Sequence, residues 1–260
     1  MEMYNWGVSL QKGVDGIKYV KQAIEWYKRS VDSDYVPAMR ALALLYGYEK
    51  ELGEPDYEQV FYYASMAAEH GDGDGEYIVG CLYYNGEYVE QDKAKARSCF
   101  EKVQEMNKCI DVKKRALYAL GKMSYCGEGG NKDFQFAREC FEKYLDVWGD
   151  VKFEQDLYVY KHLGMIYLKG QETNRNLVKA YDYFIKAEKQ GEDDEVEFWI
   201  GILSCAGIGE GSLNDESDML WLKKSSEKGN EDAIRCLNDE NYKMKIVQQC
   251  ISSLQIKSRG

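Results

Sequence analysis

The chain of 260 residues has two histidines, two prolines and no apolar run that approaches a membrane span. A bilayer-crossing helix needs about 20 consecutive apolar residues. His70 and His162 stand outside any HxxxH or HExxH spacing, so no metal site or cofactor is expected from them. Of the eight cysteines the closest pair, Cys99 and Cys109, is 10 residues apart, which excludes a CxxC zinc knuckle. An even count permits disulfides in an oxidising compartment, but small buried helical thiols are the simpler reading. Positive charge is also short: 34 Lys and Arg stand against 45 Asp and Glu, a net charge of −11. Nucleic-acid binders need a basic face, so no nucleic-acid partner is expected, whereas a basic protein partner would suit this chain. The opening MEMYNWGVSLQKGVDG lacks the basic-then-apolar pattern of a signal peptide. The expected location is the cytoplasm, or the periplasm or exterior if a leader has been removed.

What the chain does have is a repeat. The segment VGCLYYNG places Gly80 and Gly86 six residues apart, and the frame recurs at Gly7/Gly13, Gly121/Gly127, Gly164/Gly170 and Gly201/Gly207. A degenerate copy has Ala43 at the first position and Glu49 at the second. A second mark, a small residue followed by a bulky pair, starts 16 or 17 residues after each first position, at Ala23, Val60, Ala96, Ala137, Ala180 and Asp218. Two marks that drift in step define six repeats.

Both marks have helical periodicity. Gly75, Val79, Gly80 and Tyr83, like Val159, Leu163, Gly164 and Tyr167, form an i, i+4, i+5, i+8 stripe. A glycine inside a helix costs about 1 kcal/mol relative to alanine. Its return is close approach, because a neighbour can pack against bare backbone. The glycine six residues later suits a left-handed C-cap. The second helix carries its bulky pair at Trp26-Tyr27, Cys99-Phe100, Cys140-Phe141, Tyr183-Phe184 and Trp221-Leu222, with Tyr63-Ala64 in repeat two. Such helix pairs bury their apolar faces by stacking, which predicts an all-α superhelical solenoid.

The glycine frame, the QDKAKA-type helix start and the aromatic pair, clearest in VGCLYYNGEYVEQDKAKARSCF at residues 79–100, resemble the Sel-one-like repeat family, a relative of the tetratricopeptide repeats. The resemblance implies a right-handed α-solenoid of six αα-hairpins used chiefly for protein–protein interaction. Expected repeats lie near residues 4–35, 36–74, 75–111, 112–155, 156–192 and 193–230, followed by a partial helix at 231–238. Residues 239–260 read as a C-terminal capping helix with a basic tail carrying Lys257 and Arg259, or as a docking segment.

Little in the chain suggests catalysis. GDGDGE at 71–76 looks like a calcium loop, but the residue twelve places into a loop starting at Asp72 is Tyr83 rather than Glu. GIGEG at 207–211 follows a helix and lacks a phosphate-binding lysine. The acidic run Glu192 to Glu195 precedes a first helix, where acids complement the helix dipole. Some cysteine-rich relatives are linked to β-lactam binding or hydrolysis, but the cysteine spacing here does not reproduce their disulfide pattern. The expectation is no enzyme.

Relative to each first glycine, positions −3, +1, +4 and +5 lie beside the buried stripe. The resemblance implies that they line a concave groove. These positions supply Tyr77, Tyr84, Tyr118, Tyr125, Lys122, Lys161, Met165 and Phe198 as candidate partner-binding residues in repeats three to six. Aromatic side chains bury much area at low rotamer cost, although some of these would simply pack between neighbouring first helices. The leading expectation is a non-catalytic scaffold or adaptor that binds a protein or peptide. A narrower one is a bacterial immunity protein that neutralises a cognate basic toxin, and self-association is a third possibility for the same face.

Overall fold

The computed structural model describes residues 1–13, 17–106, 110–147, 155–170, 175–209 and 215–255. Cys109, Lys257 and Arg259 lie outside the described residues. The regular elements described are helices, with one isolated bridge at Ile17. The chain forms two compact units, Met1–Lys132 and Asp133–Gly260. The first holds α1 (Glu2–Lys12), α2 (Val20–Val31), α3 (Val36–Tyr48), α4 (Tyr57–Glu69), α5 (Gly73–Asn85), α6 (Lys93–Glu105) and α7 (Ile110–Cys126). The second holds α8 (Phe134–Asp146), α9 (Asp156–Lys169), α10 (Leu177–Glu188), α11 (Asp194–Cys205), α12 (Asp215–Glu227), α13 (Glu231–Asn238) and α14 (Glu240–Gln255). Helices α1, α3, α5, α7, α9 and α11 carry the first position of the frame, at Gly7, Ala43, Gly80, Gly121, Gly164 and Gly201. Within the units α1 packs on α2, α3 on α4, α5 on α6, α9 on α10 and α11 on α12, and successive pairs stack.

The helix glycines explain the pairing. A Cβ at Gly7 would stand 2.6 Å from Cε1 of Tyr27, at Gly80 2.7 Å from Cε1 of Phe100, and at Gly164 2.5 Å from Cε1 of Phe184. At Gly201 it would meet Cγ of Leu222 at 2.9 Å. Each partner is the second member of the bulky pair on the following helix, so ring or branch rests on bare backbone. Repeat two obeys the same volume rule by another route. There Ala43 replaces the glycine and Ala64 replaces the bulky partner, and both are fully buried.

Four hairpins are closed by a hydrogen bond at one register position. The N-cap residue of the second helix donates its N–H to the carbonyl three residues after the first-helix glycine or alanine. The bonds are Tyr19 to Leu10 at 2.9 Å, Asp56 to Tyr46 at 3.0 Å, Asp92 to Tyr83 at 2.9 Å and Asn176 to Tyr167 at 3.0 Å. The side chains of Asp56, Asp92, Asp133 and Asn176 then cap the second helices by accepting from the backbone N–H three residues on. Gly86 and Gly170 adopt the left-handed C-cap expected of them. Gly13 differs, with φ 99° and ψ 143°, because the chain there leaves the helix in an extended direction.

The ring-on-glycine contact yields a test. Gly164→Ala gains helix propensity of about 1 kcal/mol but overpacks the Phe184 ring, which typically costs about 1–3 kcal/mol. The expected outcome in chemical denaturation is a net loss of stability. Adding Phe184→Ala to Gly164→Ala, which recreates the Ala43/Ala64 pairing of repeat two, should cost clearly less than the sum of the two single changes.

Candidate interaction surface

The first unit carries two adjoining clefts on the free faces of its first helices. One, of about 140 Å³, opens between α5 and α7. Tyr77, Cys81 and Tyr84 come from α5, Tyr118 and Lys122 from α7, and Phe100 of α6 forms part of the lining. The other, of about 460 Å³, opens between α3 and α5 and is lined by Leu44, Tyr48, Tyr57, Tyr77, Cys81 and Arg115 among others. Tyr77 and Cys81 belong to both, so they form the ridge between the clefts. Helical spacing accounts for this, because Tyr77, Cys81 and Tyr84 lie on one face at i, i+4 and i+7.

Cations rest on these rings. Arg115 Cζ lies 4.8 Å from the centre of Tyr77, whose other neighbour is the Phe100 ring at 5.3 Å. Lys93 Nζ and Lys122 Nζ lie 5.2 and 6.0 Å from the centre of Tyr84. The Tyr84 hydroxyl donates to Glu128 Oε2 at 2.7 Å, and Lys93 donates to Glu128 Oε1 at 2.7 Å. Burial opposes ionisation of Glu128, yet the hydrogen bonds from Lys93 and Tyr84 outweigh it and hold the carboxyl below its ordinary range. Burial, and then the Glu128 bond, pushes the Tyr84 phenol up to about 12. Burial likewise raises Tyr77 and Tyr118. The tyrosines are therefore neutral near pH 7 and offer apolar faces and hydroxyls.

The other sequence candidates are placed differently. Tyr125 is half-buried near the end of α7 and does not line the cleft. Lys161 ties one repeat to the next: its Nζ donates to Asp193 at 2.9 Å and pairs with Glu195 at 2.9 Å. Asp193 is also the N-cap of α11, accepting from Val196 N. The first unit uses the same device at the same register position, where Arg40 Nη1 reaches Asp72, the N-cap of α5, at 2.9 Å. The acids of GDGDGE are accordingly helix cap and ion-pair partner, with Asp74 bound by Arg40 and Arg115.

Met165 and Phe198 correct the sequence reading. They are 6% and 4% exposed and belong to the core of the second unit. They sit at the expected register, but other parts of the unit cover that face. The register puts Tyr48 on this face, five residues after Ala43, but Leu44, Tyr57 and Arg115 were missed. Tyr48 is 77% exposed. The open surface thus spans repeats two to four.

His162 stacks on Tyr158 with ring centres 3.8 Å apart, and burial lowers its pKa. Among the described residues no group of His, Cys, Asp and Glu side chains is arranged to hold a metal. No described helix is long and apolar enough to cross a membrane. Burial pushes the Cys81 thiol up to about 11, so its thiolate is scarce at neutral pH. In native protein at pH 7, alkylation should therefore reach the exposed Cys126 before Cys81 by at least about tenfold. Peptide mass spectrometry over time measures the order.

The Sel1 repeat profile matches residues 3–35, 36–72, 73–102, 114–143 and 160–192. The α11–α12 pair lies outside those segments. No curated protein is similar enough in sequence to match. Among solved structures, 28 chains match. A protective antigen of uropathogenic Escherichia coli with an SLR fold is 24% identical, with a TM-score of 0.69 over 89% of this chain and 46% of that one. A Sel1 repeat protein from Oxalobacter formigenes is 22% identical, with a TM-score of 0.61 over 91% of this chain and 64% of that one. The chain thus spans between about half and two thirds of these two relatives. An immunity protein from Pseudomonas aeruginosa is 18% identical over 96% of this chain and 82% of that one, at a TM-score of 0.41, a likeness too loose to bear on function. The in-register glycine frame, the ring-on-glycine packing and the five matched segments together make the chain a member of the Sel1 repeat family.

Proposed function

We propose that the chain is a non-catalytic scaffold that binds a protein or peptide segment across the clefts between α3, α5 and α7. Sel1 repeat proteins are generally protein-interaction scaffolds. The observation that carries the reading here is the paired cleft ridged by Tyr77, with Tyr48 standing 77% exposed at its edge. Tyrosines at the rim of a preformed cleft anchor partners well, because each buries a large area while freezing few torsions. The cleft chemistry suits a segment with apolar or aromatic side chains and an acceptor for Lys122, which is in no ion pair of 4.0 Å or less among the described residues.

The net charge of −11 favours a narrower second reading, neutralisation of a basic toxin, through long-range attraction rather than through the clefts. Affinity purification from the native source at low and high salt separates the two. One dominant, salt-sensitive basic partner supports neutralisation, and several partners from one assembly support an adaptor.

The cleft itself is tested with the captured partner. Tyr48→Ala combined with Tyr118→Ala should weaken binding at least about tenfold, since anchor tyrosines often contribute 2 kcal/mol or more. Circular dichroism should stay unchanged. Full affinity in a folded double variant would rule the clefts out.

A further inference from the structure

Relative to the first position of the frame, the residues five before, one before and two after form a helical stripe that faces the preceding repeat. In each of the five later repeats all three are buried, as Ala38, Leu42 and Leu45 are in α3 and Val159, Leu163 and Ile166 in α9. The second helix of the repeat before covers them: α2 packs on α3, α4 on α5 and α10 on α11. The fit is close in repeat three, where a Cβ at Gly75 would stand 2.8 Å from both the Ala64 carbonyl oxygen and the Ala67 Cβ of α4. In α1 the same three places hold Glu2, Trp6 and Ser9, and all are exposed, Trp6 by 61%. Among the described residues they lack the cover that α2 gives α3. The Trp6 ring stacks on Trp26 of α2, with centres 6.4 Å apart and planes inclined by 27°, and Arg29 Cζ lies 4.9 Å from the Trp26 centre. Repeat one thus carries an indole patch on the side turned away from repeat two.

The stripe is built neither as a joint nor as a cap. Joints between repeats of this chain are apolar or small at all three places, and a solvated terminal cap is polar throughout. A large apolar centre between polar flanks is instead the anatomy of an interface that also exists uncovered. Charge says what fits over it. Residues 1–35 hold five Lys or Arg and five Asp or Glu, a net charge of zero, in a chain whose net charge is −11. Two copies that met through an acidic face would repel, and through this end they do not. Both signs are exposed at the patch, Glu2 on the stripe and Arg29 at Trp26, and neither is in an ion pair of 4.0 Å or less among the described residues. A mixed-sign rim complements itself under a twofold axis, because the acid of one copy meets the base of the other. Head-to-tail stacking is closed from the other side, since α13 packs on α12 in the place that a seventh first helix would take.

We infer that the Trp6–Trp26 patch is a self-association surface, through which two copies of the chain pair about a twofold axis. The clefts between α3, α5 and α7 take no part in it and stay open in the dimer. A face one hairpin wide is small beside the roughly 800 Å² that each partner commonly gives to a stable interface. The dimer is therefore a weak one, with a dissociation constant on the order of 10–100 µM.

Sedimentation velocity of the full chain, over concentrations that bracket this constant, tests the inference. The expected result is a monomer–dimer equilibrium that Trp6→Glu weakens at least about tenfold, with circular dichroism unchanged. Tyr48→Ala combined with Tyr118→Ala, which alters the clefts alone, should dimerise as the unmodified chain does. Hydroxyl-radical labelling supplies a readout without any substitution: Trp6 and Trp26 should lose reactivity as concentration rises, while Tyr48 keeps its own. A chain that stays monomeric throughout the range, a dimer left intact by folded Trp6→Glu, assemblies that grow beyond two copies, or loss of the dimer in the cleft variant would each overturn it.

Discussion

The close approach of a ring to bare helix backbone governs this molecule. In four repeats a Tyr, Phe or Leu side chain sits where a Cβ of the preceding helix would have to be. The contact fixes how near the two helices of a repeat lie and which way each is rotated. Rotation in turn decides which residues are left on the free face of the first helix. Tyr77, Cys81 and Tyr84 face a cleft because Gly80 faces Phe100. The repeat is thus a packing rule before it is a binding surface. The Ala43/Ala64 pair shows that the rule concerns shared volume rather than glycine itself.

Helix existence, hairpin pairing and the glycine contacts were legible in the sequence, since each is a local pattern repeated in register. The two marks, 16 or 17 residues apart, carry enough information to place first and second helices throughout. Left-handed caps at Gly86 and Gly170 were legible for the same reason. The exit at Gly13 was not, because the path of the following chain sets its conformation.

The candidate surface was legible by half. Register put Tyr77, Tyr84, Tyr118 and Lys122 on one face, and the clefts bring them together. Register could not tell that Met165 and Phe198 would be covered, because burial there depends on elements distant in sequence. Lys161 was misread for a related reason: a lone cation on a free face looks available until the acids of the next helix start, Asp193 and Glu195, are placed beside it. Global charge also misleads locally. The chain is strongly acidic, yet Arg115, Lys93 and Lys122 gather on the cleft tyrosines, and it is this local arrangement that a docked segment would meet.

The central claim is that recognition uses the aromatic clefts of the first unit. Hydroxyl-radical footprinting of the full chain, alone and with its captured partner, tests this without altering a residue. The account predicts protection at Tyr48, Tyr77 and Tyr118, with Tyr62 and Tyr88 on the separate exposed patch beside α4 unchanged. Protection confined to Tyr62 and Tyr88, with Tyr48 and Tyr118 as reactive as in the free chain, would contradict it.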